Sequence, residues 1–149
     1  MSVVAVTAAN VGCADRHARR RNYLAGVALT GGQSVYIDSN GVAQLCTSAS
    51  AAVGQFGGIV MPRMSTGSYG AGIGQAVEVV QYGEVEGFTL SGVAYWAPVY
   101  LADDGTYATT AGTKTVAVGK VVPTTERDSS GNPRKLLMIA VPFDNAAVS

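Results

Sequence analysis

The sequence predicts a mainly β protein, a β-barrel or β-sandwich built from two related modules and preceded by an extended N-terminal arm. Three observations lead there. Blocks rich in Val, Tyr and Ile end in Asn–Gly or Asp–Gly pairs, the residues of a tight hairpin turn. The same blocks recur in the same order about 65 positions further on. No segment carries the apolar stripe of a helix, and only residues 14–22 have the composition for even a short one.

The recurrence defines the modules. Leu24–Ala28, "LAGVA", returns as "LSGVA" at Leu90–Ala94; "VYIDSNG" at Val35–Gly41 returns as "VYLADDG" at Val99–Gly105; and "AVG" at Ala52–Gly54 returns at Ala117–Gly119. The expected organisation is therefore an N-terminal arm over residues 1–22, a first module over 23–88 and a second over 89–149, packed as one unit. "QSVYID" and "APVYLA" are first arms of hairpins, with Asn or Asp before Gly expected to supply the positive φ. "QAVEVVQYGEVEGF" from Gln75 alternates valine with glutamate, the period of a strand with one buried face. "KLLMIAVPF" from Lys135 is a continuous apolar run, as in a strand covered on both faces. "MSTGSYGAGIG" from Met64 and "TTERDSSGNP" from Thr124 stand at equivalent points of the two modules, as long polar loops and candidate contact surfaces.

Composition narrows the function classes. At 149 residues the chain is long enough for a real core. Charged residues are 13% of it, with ten basic against ten acidic, while glycines number 19; such a surface offers little electrostatic protection against association, so copies of the chain or a partner are expected to cover part of it. No apolar run reaches the length of a membrane span, and "MSVVAVTAANVG" lacks the basic start of a secretory signal. Cys13 and Cys46 have no metal spacing and are expected as free thiols.

No pattern carries catalysis, so no enzyme, cofactor or metal is expected. "GAGIG" at 70–74 lacks the strand–helix context of a dinucleotide fingerprint, and "AGTKT" at 111–115 is not a phosphate-binding loop. His17, the only histidine, has no nucleophile–base–orienter arrangement around it. Glu78, Glu84 and Glu86 alternate with valines as the solvent face of a strand, which outweighs a carboxylate pair for glycoside chemistry.

"DRHARRR", Asp15 to Arg21, gathers four arginines beside that histidine. A grip on nucleic acid needs more phosphate contacts and a stacking platform. The run is expected instead to anchor the N-terminal arm on carboxylates of a neighbouring chain through its forked donors. The candidate interface residues are Arg16, Arg19, Arg20 and Arg21, together with Tyr95 and Trp96, the exposed aromatic pair a glycan site would need.

The order "LAGVALTGGQSVYIDSNGVAQL … AVGQFGGIV … QAVEVVQYGEVEG … APVYLADDGTY … AVGKVV … KLLMIAVPF" resembles the small capsid cement or head decoration proteins of tailed bacteriophages over residues 24–143. That resemblance implies a β-rich, commonly trimeric virion protein, made in the host cytoplasm, that sits on the outer capsid surface and clamps major capsid subunits together without catalytic residues. The loop around Trp96 and the long Gly-rich loop depart from the pattern. The alternative is another virion β-protein, such as a head fibre base or tail component, or a glycan-binding surface module.

Overall fold

The computed structural model describes residues 3–14, 17–62 and 69–141. Its β-branched and aromatic blocks form strands in chain order: β1 (Val3–Val4), β2 (Gly12–Cys13), β3 (Arg19–Ala25), β4 (Leu29–Thr30), β5 (Ser34–Ile37), β6 (Val42–Leu45), β7 (Gly58–Val60), β8 (Gly70–Ala71), β9 (Ala76–Glu86), β10 (Pro98–Leu101), β11 (Tyr107–Ala108), β12 (Ala117–Arg127) and β13 (Pro133–Ala140). Among the described residues the one helical turn is the 3-10 turn Ala8–Asn10. The protein is therefore mainly β, as the sequence predicts.

Eleven strands make one mixed sheet, and β4 pairs separately with β8. Two antiparallel meanders stand out within it. In the first, β6 pairs with β5, β5 with β7 and β7 with β9. In the second, β11 pairs with β10, β10 with β12 and β12 with β13. The last strands of the two meanders then pair with each other, Leu137 opposite Val85 through Ala140 opposite Tyr82. β3 runs antiparallel to β9 and parallel to β6, so the pairings β9–β3–β6–β5–β7 return to β9. The sheet as a whole stays open, with β1 at its end beside β11.

β9 serves both halves, and a single irregularity explains how. Arg19 lies opposite Tyr82 but Arg20 opposite Val80, so one extra residue, Gln81, is inserted and the strand's faces are offset. Before the break Val77 and Val79 join a core with Val35, Ala43, Val60 and Leu29. From the break onward Val80 and Val85 join a larger core with Ile59, Val99, Leu101, Val118, Val121, Leu137 and Ile139. A strict alternation would have sent Val80 to solvent. Burying each of these valines and leucines contributes roughly 1.5–3 kcal/mol. Gly58 lets β7 approach closely: its φ is +134°, and a Cβ there would lie 2.6 Å from the Val80 carbonyl oxygen.

A tyrosine joins the halves. Tyr107 of β11 is buried; its hydroxyl donates to the Gly32 carbonyl and accepts from Ser34 Oγ, which lies 2.7 Å away on β5. Phe88 packs edge-on against its ring, centroids 5.0 Å apart. Cys46 sits beside this core, fully buried, and burial pushes its thiol up from 9.0 to about 12. No disulfide joins it to the half-buried Cys13.

Several sequence expectations meet a different structure. The arm over 1–22 is not shown as an arm. Residues of 3–14 pair with the sheet at β1, at Val6 opposite Phe88, and at β2 against β9. Arg19–Arg21 lie in β3. The hairpin turns after β5 and β10 use Gly41 (φ +78°) and Gly105 (φ +87°), and neither Asn40 nor Asp104 has positive φ, because a longer turn with a glycine bulge replaces the two-residue turn. Asp38 Oδ1 closes the first of them, accepting from Asn40 N at 2.9 Å and Val42 N at 3.2 Å. The polar stretch from Thr124 is largely strand: β12 runs through Arg127 and only 128–132 turn. Of the three repeated blocks, Val35–Gly41 and Val99–Gly105 are both strand plus turn. Ala52–Gly54 is turn where Ala117–Gly119 opens β12, and Leu24–Ala25 is strand where Leu90 begins a turn.

Candidate functional site

Two surfaces gather the sequence-predicted contact residues that the structure describes. The first is the arginine strand. Over Arg19–Asn22 the strand is exposed, and only Leu24 and Ala25 pair with β6. An edge of this kind templates association unless charge blunts it, and here three successive guanidinium groups do so. Arg20 reaches Glu78 across the strand pair at 3.3 Å, and the Arg21 guanidinium stands 5.6 Å from the centre of the Tyr23 ring. At the far end of β3, where β6 closes the edge, the exposed side chains are apolar: Leu24 is 55% exposed and Ile73, on the neighbouring turn, 75%. His17 stands just upstream of this edge. Arg16 lies outside the described residues.

The second surface is the loop before β10. Tyr95 donates to the Pro133 carbonyl at 2.5 Å, and Lys135 Nζ stands 5.0 Å from the centre of the same ring while donating to the Val93 carbonyl at 2.5 Å. Trp96 is 67% exposed, with Lys120 Nζ 6.0 Å from its ring centre. It is the one described residue other than glycine with a positive φ, +65°. Such a backbone is disfavoured for any residue with a Cβ, and for an aromatic it persists only when the surroundings enforce it. They do so here: Trp96 N donates to the Val121 carbonyl at 2.7 Å, and Val121 N donates back to the Ala97 carbonyl at 3.1 Å. Strain is thus spent on presenting an indole to solvent.

Next to Tyr95 opens a cavity of about 480 Å³, lined by Leu90, Ser91, Tyr95, Asp128, Ser130, Asn132 and Lys135. The 128–132 turn that forms its rim is knit by its own backbone: Asp128 Oδ1 accepts from Ser130 N at 2.9 Å and Asn132 N at 3.0 Å, and Arg127 donates to the Gly131 carbonyl at 2.6 Å. The sequence named the aromatic pair and, within Thr124–Pro133, the loop that forms this rim, but not that the two lie together, and it did not single out Lys120 or Lys135.

The structure does not bring the two surfaces together. Arg19 lies opposite Tyr82, and Tyr82 opposite Ala140 at one end of β13; Tyr95 holds Pro133 at the other end. Seven residues of β13, about 23 Å, lie between Pro133 and Ala140, whereas Trp96, bonded to Val121 opposite Leu137, stands only three residues along β13 from Ala140. Two of the three glutamates of β9 meet a cation: Glu78 pairs with Arg20, and Glu86 lies 2.7 Å from Arg134, which also reaches Glu126 at 3.2 Å. Among the described residues no group of three or more His, Cys, Asp or Glu could hold a metal ion, and no helix is long and apolar enough to cross a membrane. Comparison with protein-family models, with curated proteins and with solved structures yields no match.

Proposed function

We propose that the chain is a structural protein of a tailed-phage head, bound to the outer surface of the assembled capsid and clamping neighbouring major capsid subunits. The observation that carries the reading is the pair of separate contact surfaces carried by one sheet: a cationic strand edge on β3 and a strained aromatic loop before β10. A clamp needs two such surfaces on a rigid spacer. The motif order over residues 24–143 supplies the identity of the partner by resemblance. Binding only the assembled lattice stabilises it by mass action, as a ligand stabilises a fold, and several copies acting together multiply weak contacts. No reaction, cofactor or membrane enters, and nucleic acid is not the partner of the arginines.

The finer fold belongs to the same proposal. The ring β9–β3–β6–β5–β7 is a small barrel, and the second meander is its duplicated counterpart, reached through β9. The common order of strands in the two meanders supports this, as do the matching hairpins at Val35–Gly41 and Val99–Gly105. Three copies around a local threefold of the head would cover the open edge of β3 and close head-to-tail interfaces that otherwise propagate.

The test mixes the purified chain with expanded head shells and, separately, with unassembled major capsid subunits. Cosedimentation with shells alone supports the proposal; binding to neither, or equally to both, contradicts it.

A further inference from the structure

The cavity beside Tyr95 is built like a binding site and is not absorbed by the clamp. Its floor is apolar, at the buried Leu90, and one wall is the Tyr95 ring; the rest is polar. The Asx turn at 128–132 uses the backbone and one carboxylate oxygen of Asp128. Ser91, Asp128, Ser130 and Asn132 line the cavity, and Asp128 Oδ2, the Ser91 and Ser130 hydroxyls and the Asn132 side-chain amide make no hydrogen bond to protein among the described residues. Tyr95 and Lys135 are already fixed, the first by Pro133 and the second, on β13, by Val93, and the backbone bonds of Trp96 and Val121 fix the loop that carries Tyr95. Preorganised walls and uncommitted donors and acceptors are what a small polar ligand needs.

We propose that this cavity binds a neutral saccharide, one or two pyranose rings in extent. The apolar face of a pyranose packs on an aromatic ring and on Leu90, while its hydroxyls, each both donor and acceptor, match a carboxylate oxygen, an amide and two hydroxyls at once. Lys135 and Asp128 bring one positive and one negative charge to the walls, which favours a ligand with no net charge. A volume of about 480 Å³ lies within the range of small-molecule sites. The inference stands apart from the head-surface proposal: the shell-binding test does not involve sugar, and the failure of either leaves the other in place.

The test is titration of the full chain with cellobiose, maltose and lactose, with galacturonate as the charged probe, followed by backbone amide shifts in NMR and by the fluorescence of Trp96, the only tryptophan. At least one neutral disaccharide is expected to bind with millimolar Kd and to move the amides of residues 90–95 and 128–132. Tyr95→Ala is expected to weaken it about tenfold or more, the loss of a stacked ring. Ser130→Arg, on an exposed turn, fills the cavity without touching the core and should abolish binding if Tyr95→Ala does not fold; Lys120→Ala, outside the cavity, should leave it unchanged. Shifts unaffected by Ser130→Arg, no shift with any neutral probe, or tighter binding of galacturonate than of every neutral sugar would each overturn the assignment.

Discussion

Trp96 holds a left-handed backbone that costs a residue with a Cβ about 1–2 kcal/mol. Gly tolerates that backbone, whereas Ala keeps the penalty. Trp96→Gly is therefore expected to be more stable than Trp96→Ala by about 1 kcal/mol in urea unfolding; equal stabilities would show that the loop relaxes without strain. Tyr107 makes the opposite kind of commitment. Its hydroxyl satisfies a buried carbonyl and a buried serine at once, so Tyr107→Phe leaves both short of a partner and should cost about 1–3 kcal/mol. Cys46 makes stability depend on alkaline pH. Its folded pKa is raised from 9.0 to about 12, so its contribution is complete below pH 9 and is lost as the pH climbs through that window. Burial raises Tyr107 in the same direction, above the ordinary value of 10.0. The chain should thus begin to lose stability above pH 9, and Cys46→Ala should soften that alkaline limb. At neutral pH a thiol-exchange reagent should leave Cys46 unmodified until the protein unfolds.

β3 and β9 show what the sequence disclosed and what it hid. Alternation announced β9, whose glutamates are less buried than the valines beside them, and two of the three, Glu78 and Glu86, meet Arg20 and Arg134. The inserted Gln81 was invisible, because a bulge changes which face a valine serves without changing composition. The arginine run was legible as a charged, exposed segment but not as a strand: its side chains are long and charged, and only pairing with β9 makes Arg19–Ala25 extended. The matching hairpins were legible from Val, Tyr, Asp and Gly. The aromatic pair and the 124–133 loop were legible too, whereas what brings Lys120, Lys135 and the 128–132 turn to the pair, the bonds Tyr95 to Pro133, Lys135 to Val93 and Trp96 to Val121, spans about 25 to 42 residues of chain that no local pattern records. Changing Arg19, Arg20 and Arg21 to Ala follows from this placement. The residues are exposed and Arg20–Glu78 is a surface pair, so folding should change by no more than about 1 kcal/mol. Shell binding should weaken and lose salt dependence, because the forked donors are gone. An unaltered affinity across a salt series would remove β3 from the contact.

For the whole molecule, the proposed clamp sets two separate surfaces of one sheet, β3 and the loop before β10, against a partner whose sites exist only on the assembled lattice. Three copies about a threefold would cover the open Arg19–Asn22 edge of β3 and the exposed Leu24 and Ile73 beside it, and should appear as three-lobed protrusions on decorated heads; isolated single copies or pairs would contradict the trimer. The most direct measurement of the central claim is cosedimentation of the purified chain with expanded head shells, run beside unassembled major capsid subunits at the same concentration. The account predicts saturable binding to the shells, no binding to the subunits, and loss of shell binding when the arginines of β3 and Trp96 are replaced together by Ala. Equal binding to free subunits, or shell binding indifferent to both surfaces, would contradict it.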